Sequence, residues 1–450
     1  MKPEIGDAFV NRVDTIVAPA TGGGRAAIAV LRLSGSGIRR ILEAVTGSVP
    51  MPRVASLRAI RDTDGAVLDR ALVLYFPAPA SFTGEDVAEL HLHGGQAVVS
   101  AVMCRLLETN LCRLAEAGEF SRRAFLNGKL DLSEAEGIAD LIDAETEAQR
   151  RQAMRQLEGA LSSAVEDLRE RLLNVMALVE ASLDFSDEGD VPTDLMAEAI
   201  SGARRVHDEI TAALDDGRRG ERLRDGLTVA IAGPPNVGKS TLLNRIARRD
   251  VAIVSPIAGT TRDIIELRCD LGGMPVVFLD TAGLRETDDP IEKEGVERAR
   301  RRLRTADLVL LLSSGDDVSE DHEAIELSSG AVMKVRTKSD LLPVESRDAG
   351  EWAISAKTGA GIDDLLAEVE RRLNAGYDAR VAVITRERHR SALSDAASHL
   401  ERVSAYRPDA LPELVAEDIR LGMRALGRIT GRVGVEEILD RLFAGFCIGK

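Results

Sequence analysis

Nowhere in this 450-residue chain do 18 apolar residues run together, so no segment is expected to span a membrane. Cysteine is scarce. Cys104, Cys112, Cys269 and Cys447 form no CxxC pair, which removes both a zinc ribbon and a disulfide framework from consideration. The opening stretch MKPEIGDAF carries acids and no apolar run, unlike a secretory leader. Positive charge is in deficit: 58 Lys and Arg face 74 Asp and Glu, a formal net charge of −16. Tight binding to bare phosphate backbone needs a basic face and counterion release, so a nucleic-acid substrate would have to be presented largely by a basic partner. There is no internal repeat and no low-complexity tract. These absences leave a reduced, soluble, cytoplasmic protein, long enough for two to four domains.

Three textures follow one another along the chain. Up to about Phe125, short apolar runs such as TIVAPA, AAIAVLRL and RALVLYF are punctuated by Gly, Pro and Ser, which reads as strands and turns with a helix near Ala97 to Glu108. From about Leu126 to Arg219 the period is helical. Leu157, Leu161, Val165, Leu168, Leu172, Val175, Val179 and Leu183 step by three and four, the stripe of a bundle helix, before DFSDEGDVPTD breaks it. From Leu227 to about Leu373 apolar strands alternate with helical stretches, the pattern of a mostly parallel sheet with crossover helices. Helical texture then returns to the end. The expected architecture is multidomain α+β and α/β: an N-terminal α/β domain (1–125), a discontinuous helical bundle (126–222 and 378–450), and an inserted domain (223–377).

The inserted domain carries the chemistry. GPPNVGKST, Gly233 to Thr241, follows an apolar run and opens a helical stretch, the context that a phosphate-binding P-loop requires. Backbone N–H groups of Asn236, Val237, Gly238, Lys239, Ser240 and Thr241 would wrap the phosphates, with Lys239 reaching the β/γ-phosphates and Ser240 ligating Mg²⁺. GTTRD supplies Gly259 and then Thr261 for Mg²⁺ and the γ-phosphate. DTAG places Asp280 near the metal and the Gly283 N–H near the γ-phosphate, with Thr281 and Ala282 between them. TKSD offers Thr337, Lys338 and Asp340. The aspartate can accept two hydrogen bonds from guanine and would be left unpaired by adenine. SAK, Ser355 to Lys357 with Ala356 between, covers the base. Five elements in order, each expected at a strand end, make this a Ras-like GTPase domain. Two positions depart from the usual pattern. Thr337 stands where GTPases usually carry Asn, so guanine selectivity is expected to survive with weaker affinity. Leu284 stands where Ras-like enzymes place a water-orienting Gln, so the polar group must come from elsewhere, and RETDDPIEKEG is the nearest source.

With these residues assembled, the chain resembles the MnmE (TrmE) family of tRNA-modifying GTPases over nearly its whole length. The resemblance rests on TIVAPATGGGRAAIAVLRLSG, SFTGEDVAEL, HGG, GEFSRRAFLNGKLDLSEAEGIADLIDA, the GTPase motifs and the closing FCIGK. It implies a homodimer formed through N-terminal domains that bind a tetrahydrofolate derivative (5,10-methylene or 5-formyl), and a helical domain interrupted by the GTPase domain. It also implies a FAD-containing partner, MnmG. The two together would install a carboxymethylaminomethyl or aminomethyl group on C5 of the wobble uridine of certain tRNAs. Carried over position by position, folate contacts fall on Arg32, Glu89, Lys129 and Lys450. A K⁺ ion would be held by Asn236 and by the loop Ser255, Pro256, Ile257, Ala258, Gly259 and Thr260, chiefly through Ser255, Ile257 and Thr260. The water-orienting carboxylate matches Glu292, and Cys447 becomes a candidate for chemistry or substrate positioning.

Other readings fare worse. GGGRAA at Gly22 mimics a dinucleotide fingerprint, but an extended run follows it where a helix is needed. His91 and His93 share a strand face with Glu89, a pattern more often made by hydrogen-bonded side chains than by a metal trio. A ribosome-assembly GTPase would usually append a basic RNA-binding module, and a mechanical GTPase would need a lipid-binding face. The sequence shows neither. Cys447 sits four from the end, but the last residue, Lys450, does not suit a prenylation box.

Overall fold

The computed structural model describes residues 14–184, 195–215, 218–249, 251–253, 266–280, 300, 303–314, 326, 330–341, 352–374, 384–407, 410–433, 439, 442–446 and 449. Their contacts divide into two compact units. One comprises the described residues within 1–139, 159–207 and 395–450, and the other those within 140–158 and 208–394.

The first unit opens with β1 (Thr15–Pro19), β2 (Ile28–Ser34), α1 (Ile38–Thr46), β3 (Ser56–Arg61), β4 (Val67–Phe76), β5 (Val87–His93), α2 (Gln96–Glu108) and β6 (Cys112–Leu114). The six strands form one sheet in the order β3-β4-β5-β2-β1-β6. Every neighbouring pair is antiparallel except β1 with β6. Period-two alternation decides the faces. Ala71, Val73 and Tyr75 of β4 and Ala88, Leu90 and Leu92 of β5 are buried in the core with Ile38, Ile41 and Val45 of α1 and Val102 and Leu106 of α2. Glu89 and His91 project from the opposite face, only half buried. The GGGRAA segment leads into β2 and no helix, as the extended run after it requires.

Helices follow: α3 (Glu119–Leu126), α4 (Leu132–Asp143), α5 (Glu147–Leu157), α6 (Ala160–Asp184), α7 (Leu195–Leu214) and α8 (Arg219–Asp225). The long apolar stripe is the buried side of α6, where Leu161, Val165, Leu172 and Val179 are all under 4% exposed. Leu157, counted in that stripe from sequence, belongs instead to α5. Gly159, at φ +81°, turns the chain between the two helices, a backbone state in which any other residue is strained. DFSDEGDVPTD lies largely outside the described residues.

The second unit holds β7 (Leu227–Ala232), α9 (Lys239–Ile246), β8 (Glu266–Leu271), β9 (Met274–Asp280), β10 (Leu308–Ser314), β11 (Ala331–Thr337), β12 (Trp352–Ala353) and α10 (Ile362–Asn374). Its sheet runs β12-β11-β10-β7-β9-β8. All pairs are parallel except the β8–β9 hairpin at the edge. Both faces are covered, so β7 and β10 read as near-continuous apolar runs. Helix α5 also packs in this unit: the Ala148 N–H donates to the Gly273 carbonyl in the β8–β9 turn at 3.3 Å, and Arg268 of β8 pairs with Glu145 at 3.1 Å. The chain closes with α11 (Glu387–Ala405) and α12 (Pro412–Thr430). Helix α12 packs along α6 in the first unit, where Arg432 just beyond it pairs with Glu166 at 3.0 Å. No helix among the described residues is long and apolar enough to cross a membrane.

Candidate functional site

In the second unit the described residues of four motif segments sit at strand ends: Gly233 after β7, Asp280 at the end of β9, Thr337 at the end of β11 and Ser355 after β12. β7 stops at Ala232, and Gly233 follows at φ +141° against the Leu312 carbonyl of β10, which leaves no room for a side chain. Asn236 at φ +61° and Gly238 at φ +107° curl the loop, and α9 starts at Lys239. A curled loop running into a helix N-terminus turns successive N–H groups inward, the arrangement that binds phosphate. The Lys239 ammonium arches over this loop, donating to the carbonyls of Gly233 (2.6 Å) and Pro234 (3.0 Å).

The metal-binding expectation for Ser240 and Asp280 has a physical basis in β-strand register. Ile231 of β7 pairs with Asp280 of β9, so the strand end carries Asp280 alongside the P-loop. There the Ser240 hydroxyl donates to Asp280 Oδ2 at 3.0 Å. Two hard oxygen donors side by side, one of them a carboxylate that is 6% exposed, suit Mg²⁺.

The base-recognition segments are tied to the P-loop and to one another. Thr337 is 3% exposed, and its Oγ1 lies 2.6 Å from the Val237 carbonyl and 3.1 Å from that of Ser313. The hydroxyl thus fastens TKSD to the phosphate loop across 100 residues of sequence. Lys338, in the left-handed region at φ +56°, donates from Nζ to the Asn236 carbonyl at 2.9 Å. Asp340 Oδ1 accepts from the Ser355 hydroxyl at 2.7 Å. That bond, helped by the Lys357 charge, holds the Asp340 carboxyl below the usual carboxylate range, so it stays an acceptor. Replacing Asp340 with Asn exchanges an acceptor for a donor facing the base, and is expected to relax guanine preference so that a xanthine nucleotide competes with GTP. Competition binding with the two nucleotides checks this, and an undiminished preference for GTP removes Asp340 from base recognition. Thr241 opens α9 beside Ser240, and Ala356 follows Ser355 in the turn after β12. Ser255, Pro256, Ile257, Ala258, Gly259, Thr260, Thr261, Thr281, Ala282, Gly283 and Glu292 lie outside the described residues.

In the first unit, Arg32 and Glu89 face each other across paired strands β2 and β5, with Arg32 Nε 3.0 Å from Glu89 Oε1. The second oxygen of Glu89 is 3.2 Å from His91 Nε2, and His93 turns away to Asp69 at 2.7 Å. Among the described residues no cluster of three His, Cys, Asp or Glu could hold a metal. Lys129 sits beyond α3, where its Cγ abuts Gly84 of the SFTGED loop. Sequence reasoning did not single out Phe82, whose ring centroid lies 5.8 Å from the Arg32 guanidinium carbon. A lone aromatic in a loop has no periodicity to mark it. Near the end of the chain, Phe443 and Phe446 meet edge to face at 5.3 Å. Gly449 packs against the Pro19 carbonyl at the end of β1, one residue from Ala18, which pairs with Arg32. Cys447 and Lys450 lie outside the described residues.

Comparison with known proteins places both units. Residues 15–129 match the family "GTP-binding protein TrmE N-terminus", and residues 132–447 match "MnmE helical domain". The chain belongs to the MnmE family of tRNA modification GTPases. The tRNA modification GTPase MnmE of Methylorubrum populi is 57% identical over 446 residues, covering 99% of this chain and all of that protein. Its counterparts in Methylobacterium radiotolerans and Rhodospirillum rubrum are 54% and 52% identical, over 98% and 97% of this chain. This is a GTPase family that acts in tRNA modification, as the names of these relatives state, and the P-loop motif lies in the second unit.

Proposed function

We propose that this chain works as a homodimer with the FAD-containing protein MnmG, and that the pair installs a carboxymethylaminomethyl or aminomethyl group at C5 of the wobble uridine of certain tRNAs. The one-carbon unit comes from a tetrahydrofolate derivative held by the N-terminal domain (1–125). The inserted G domain (223–377) hydrolyses GTP with Mg²⁺ and K⁺, and the helical flanks (126–222 and 378–450) connect the two. Ser240 and Thr261 would hold Mg²⁺, which would neutralise charge on the β- and γ-phosphates. The pair forms in the cytoplasm, and with a formal charge of −16 on this chain much of the tRNA is gripped by the partner.

One observation carries the folate part of this reading. Arg32 and Glu89 form a charged pair on the sheet face away from α1 and α2, 2.9 Å apart at closest and both partly exposed, and Gly449 lies against the end of the adjoining strand. A guanidinium and a carboxylate side by side present donors and an acceptor together, which is what a reduced pterin, with its own mixed edge, requires. Equilibrium binding of 5-formyltetrahydrofolate to the full-length protein, with Arg32→Ala as the control, tests this assignment. An unchanged wobble-uridine profile, read by mass spectrometry of tRNA nucleosides from cells lacking the protein, would remove the modification reading altogether.

The cation requirement follows from two positions. Asn236 lies in the phosphate loop at φ +61°, and Leu284 cannot orient water. A K⁺ ion at the phosphates does what an arginine finger does elsewhere, offsetting charge that builds in the transition state. GTP turnover is expected to be markedly faster in K⁺ than in Na⁺ at equal ionic strength, and equal rates would rule out a K⁺ site.

A further inference from the structure

Beneath the loop that carries Phe82 and Gly84 lies a polar network that none of the functional residues named so far explains. Arg123, on α3 and 9% exposed at its side chain, donates to Asp14 Oδ1 (2.9 Å), to Glu119 Oε1 (2.9 Å) and to Glu85 Oε2 (3.0 Å). Glu85 Oε2 also accepts from the Ser34 hydroxyl at 2.7 Å, and Ser34 Oγ lies 2.7 Å from Thr83 Oγ1. Ser34 and Thr83 are both fully buried. The Thr83 carbonyl accepts from Asn127 Nδ2 at 2.7 Å, and the Ser81 hydroxyl closes back onto the Glu85 carbonyl at 2.5 Å.

We propose that the 81–86 loop is one wall of the one-carbon carrier site, with the half-exposed ring of Phe82 as its aromatic surface, and that Glu85, held by Arg123 and Ser34, is the positioning residue that fixes this wall. The inference rests on the folate reading above and deepens it. Phe82 lies under the Arg32 guanidinium, and a Cβ placed on Gly84, at φ +79°, would stand 3.1 Å from Asn127 Cβ and 3.3 Å from Lys129 Cγ. Loop 81–86 thus neighbours Arg32 through Phe82 and Lys129 through Gly84. A flat heteroaromatic ring gains from an exposed aromatic face flanked by cations, and a reduced pterin carrying an anionic tail is a ligand of that kind. The cost of a misplaced wall appears in ligand binding, because a loop ordered beforehand does not have to be ordered by the ligand.

The geometry also supplies a clean variant. Glu85→Ala leaves Arg123 with two carboxylates, Asp14 and Glu119, so the buried cation stays paired and the fold survives. Glu85→Gln keeps an oxygen that accepts from Ser34 and Arg123. The experiment measures 5-formyltetrahydrofolate affinity, melting temperature and GTP turnover for the full-length wild type, Glu85→Ala, Glu85→Gln and Phe82→Leu. Glu85→Ala and Phe82→Leu are expected to weaken folate binding by roughly tenfold or more, with Glu85→Gln restored to within about threefold of wild type and GTP turnover the same in all four. Wild-type affinity in Glu85→Ala overturns the positioning role, and wild-type affinity in Phe82→Leu overturns the aromatic wall. A wild-type protein that binds no folate derivative takes the underlying site assignment down with it, an outcome distinct from either of the others.

Discussion

Glu292→Ala is expected to hydrolyse GTP roughly 10²-fold or more slowly than the wild type while binding it equally well. Lys239 is a cation committed to the phosphate loop, hydrogen bonded to the Gly233 and Pro234 carbonyls, and cannot accept a proton from attacking water at neutral pH. Asp280 is buried and accepts from the Ser240 hydroxyl, the side of the site proposed to hold Mg²⁺. Asp340 is tied to Ser355 at the base end. Leu284 occupies the position from which Ras-like enzymes supply Gln. The acidic stretch after DTAG is the nearest other source of a polar group, and Glu292 is the residue there that the family resemblance implies. Single-turnover hydrolysis set beside equilibrium nucleotide binding decides the matter. A near-wild-type rate assigns the water to another residue, and a loss of binding shows that Glu292 holds nucleotide instead.

The second large effect concerns the tail. Deleting residues 447–450, or changing Cys447 to Ser, is expected to abolish wobble-uridine modification while GTP turnover and dimerisation stay near normal. The residues on either side of Cys447 are anchored to the first unit. Gly118, at φ +65°, begins α3 so close to Phe443 that a Cβ there would stand 2.6 Å from the Phe443 carbonyl oxygen. Phe443 is itself buried with Phe125, Leu132 and Leu439. On the far side, Gly449 packs on Pro19, beside the strand pair that holds Arg32. The described residues that flank Cys447 in sequence, Phe446 and Gly449, both belong to the first unit, the unit of the proposed folate residues, which is the basis of the expectation. Mass spectrometry of tRNA nucleosides from cells carrying each variant is the readout. Full modification by the deletion variant would leave the tail with a packing role alone.

Much of the GTP site could be read from sequence, because each of its motifs is a local chemical requirement: glycine where the chain approaches a neighbour, an aspartate where a strand ends. What Thr337 does was not legible. Its hydroxyl bonds to a carbonyl 100 residues away, and no spacing rule connects them. The antiparallel β8 and the docking of Ala148 onto the β8–β9 turn were hidden for the same reason. Period reports which side of an element is buried, not what covers it. Leu157 shows the limit from the other direction: a continuous stripe of period three and four ran through a glycine that breaks the helix. In the first unit, Arg32 and Lys129 look like solvated charges unless a resemblance selects them. The Arg123 network joins residues up to 109 positions apart and leaves no local pattern at all.

The pairing of α6 with α12 has a consequence for the order of synthesis. Roughly two hundred residues separate these helices, so at about 5–20 residues per second α12 leaves the ribosome on the order of ten to forty-five seconds after α6. Throughout that interval α6, whose Leu161, Val165, Leu172 and Val179 are buried in the finished fold, lacks the helix that packs along it, whereas the P-loop sheet has all six strands in hand by Ala353. The six strands of that sheet and α10, which packs into its core, are therefore all made before α12, and a ribosome that stalls before Pro412 releases a chain that holds the whole of that sheet but lacks the helix that packs along α6.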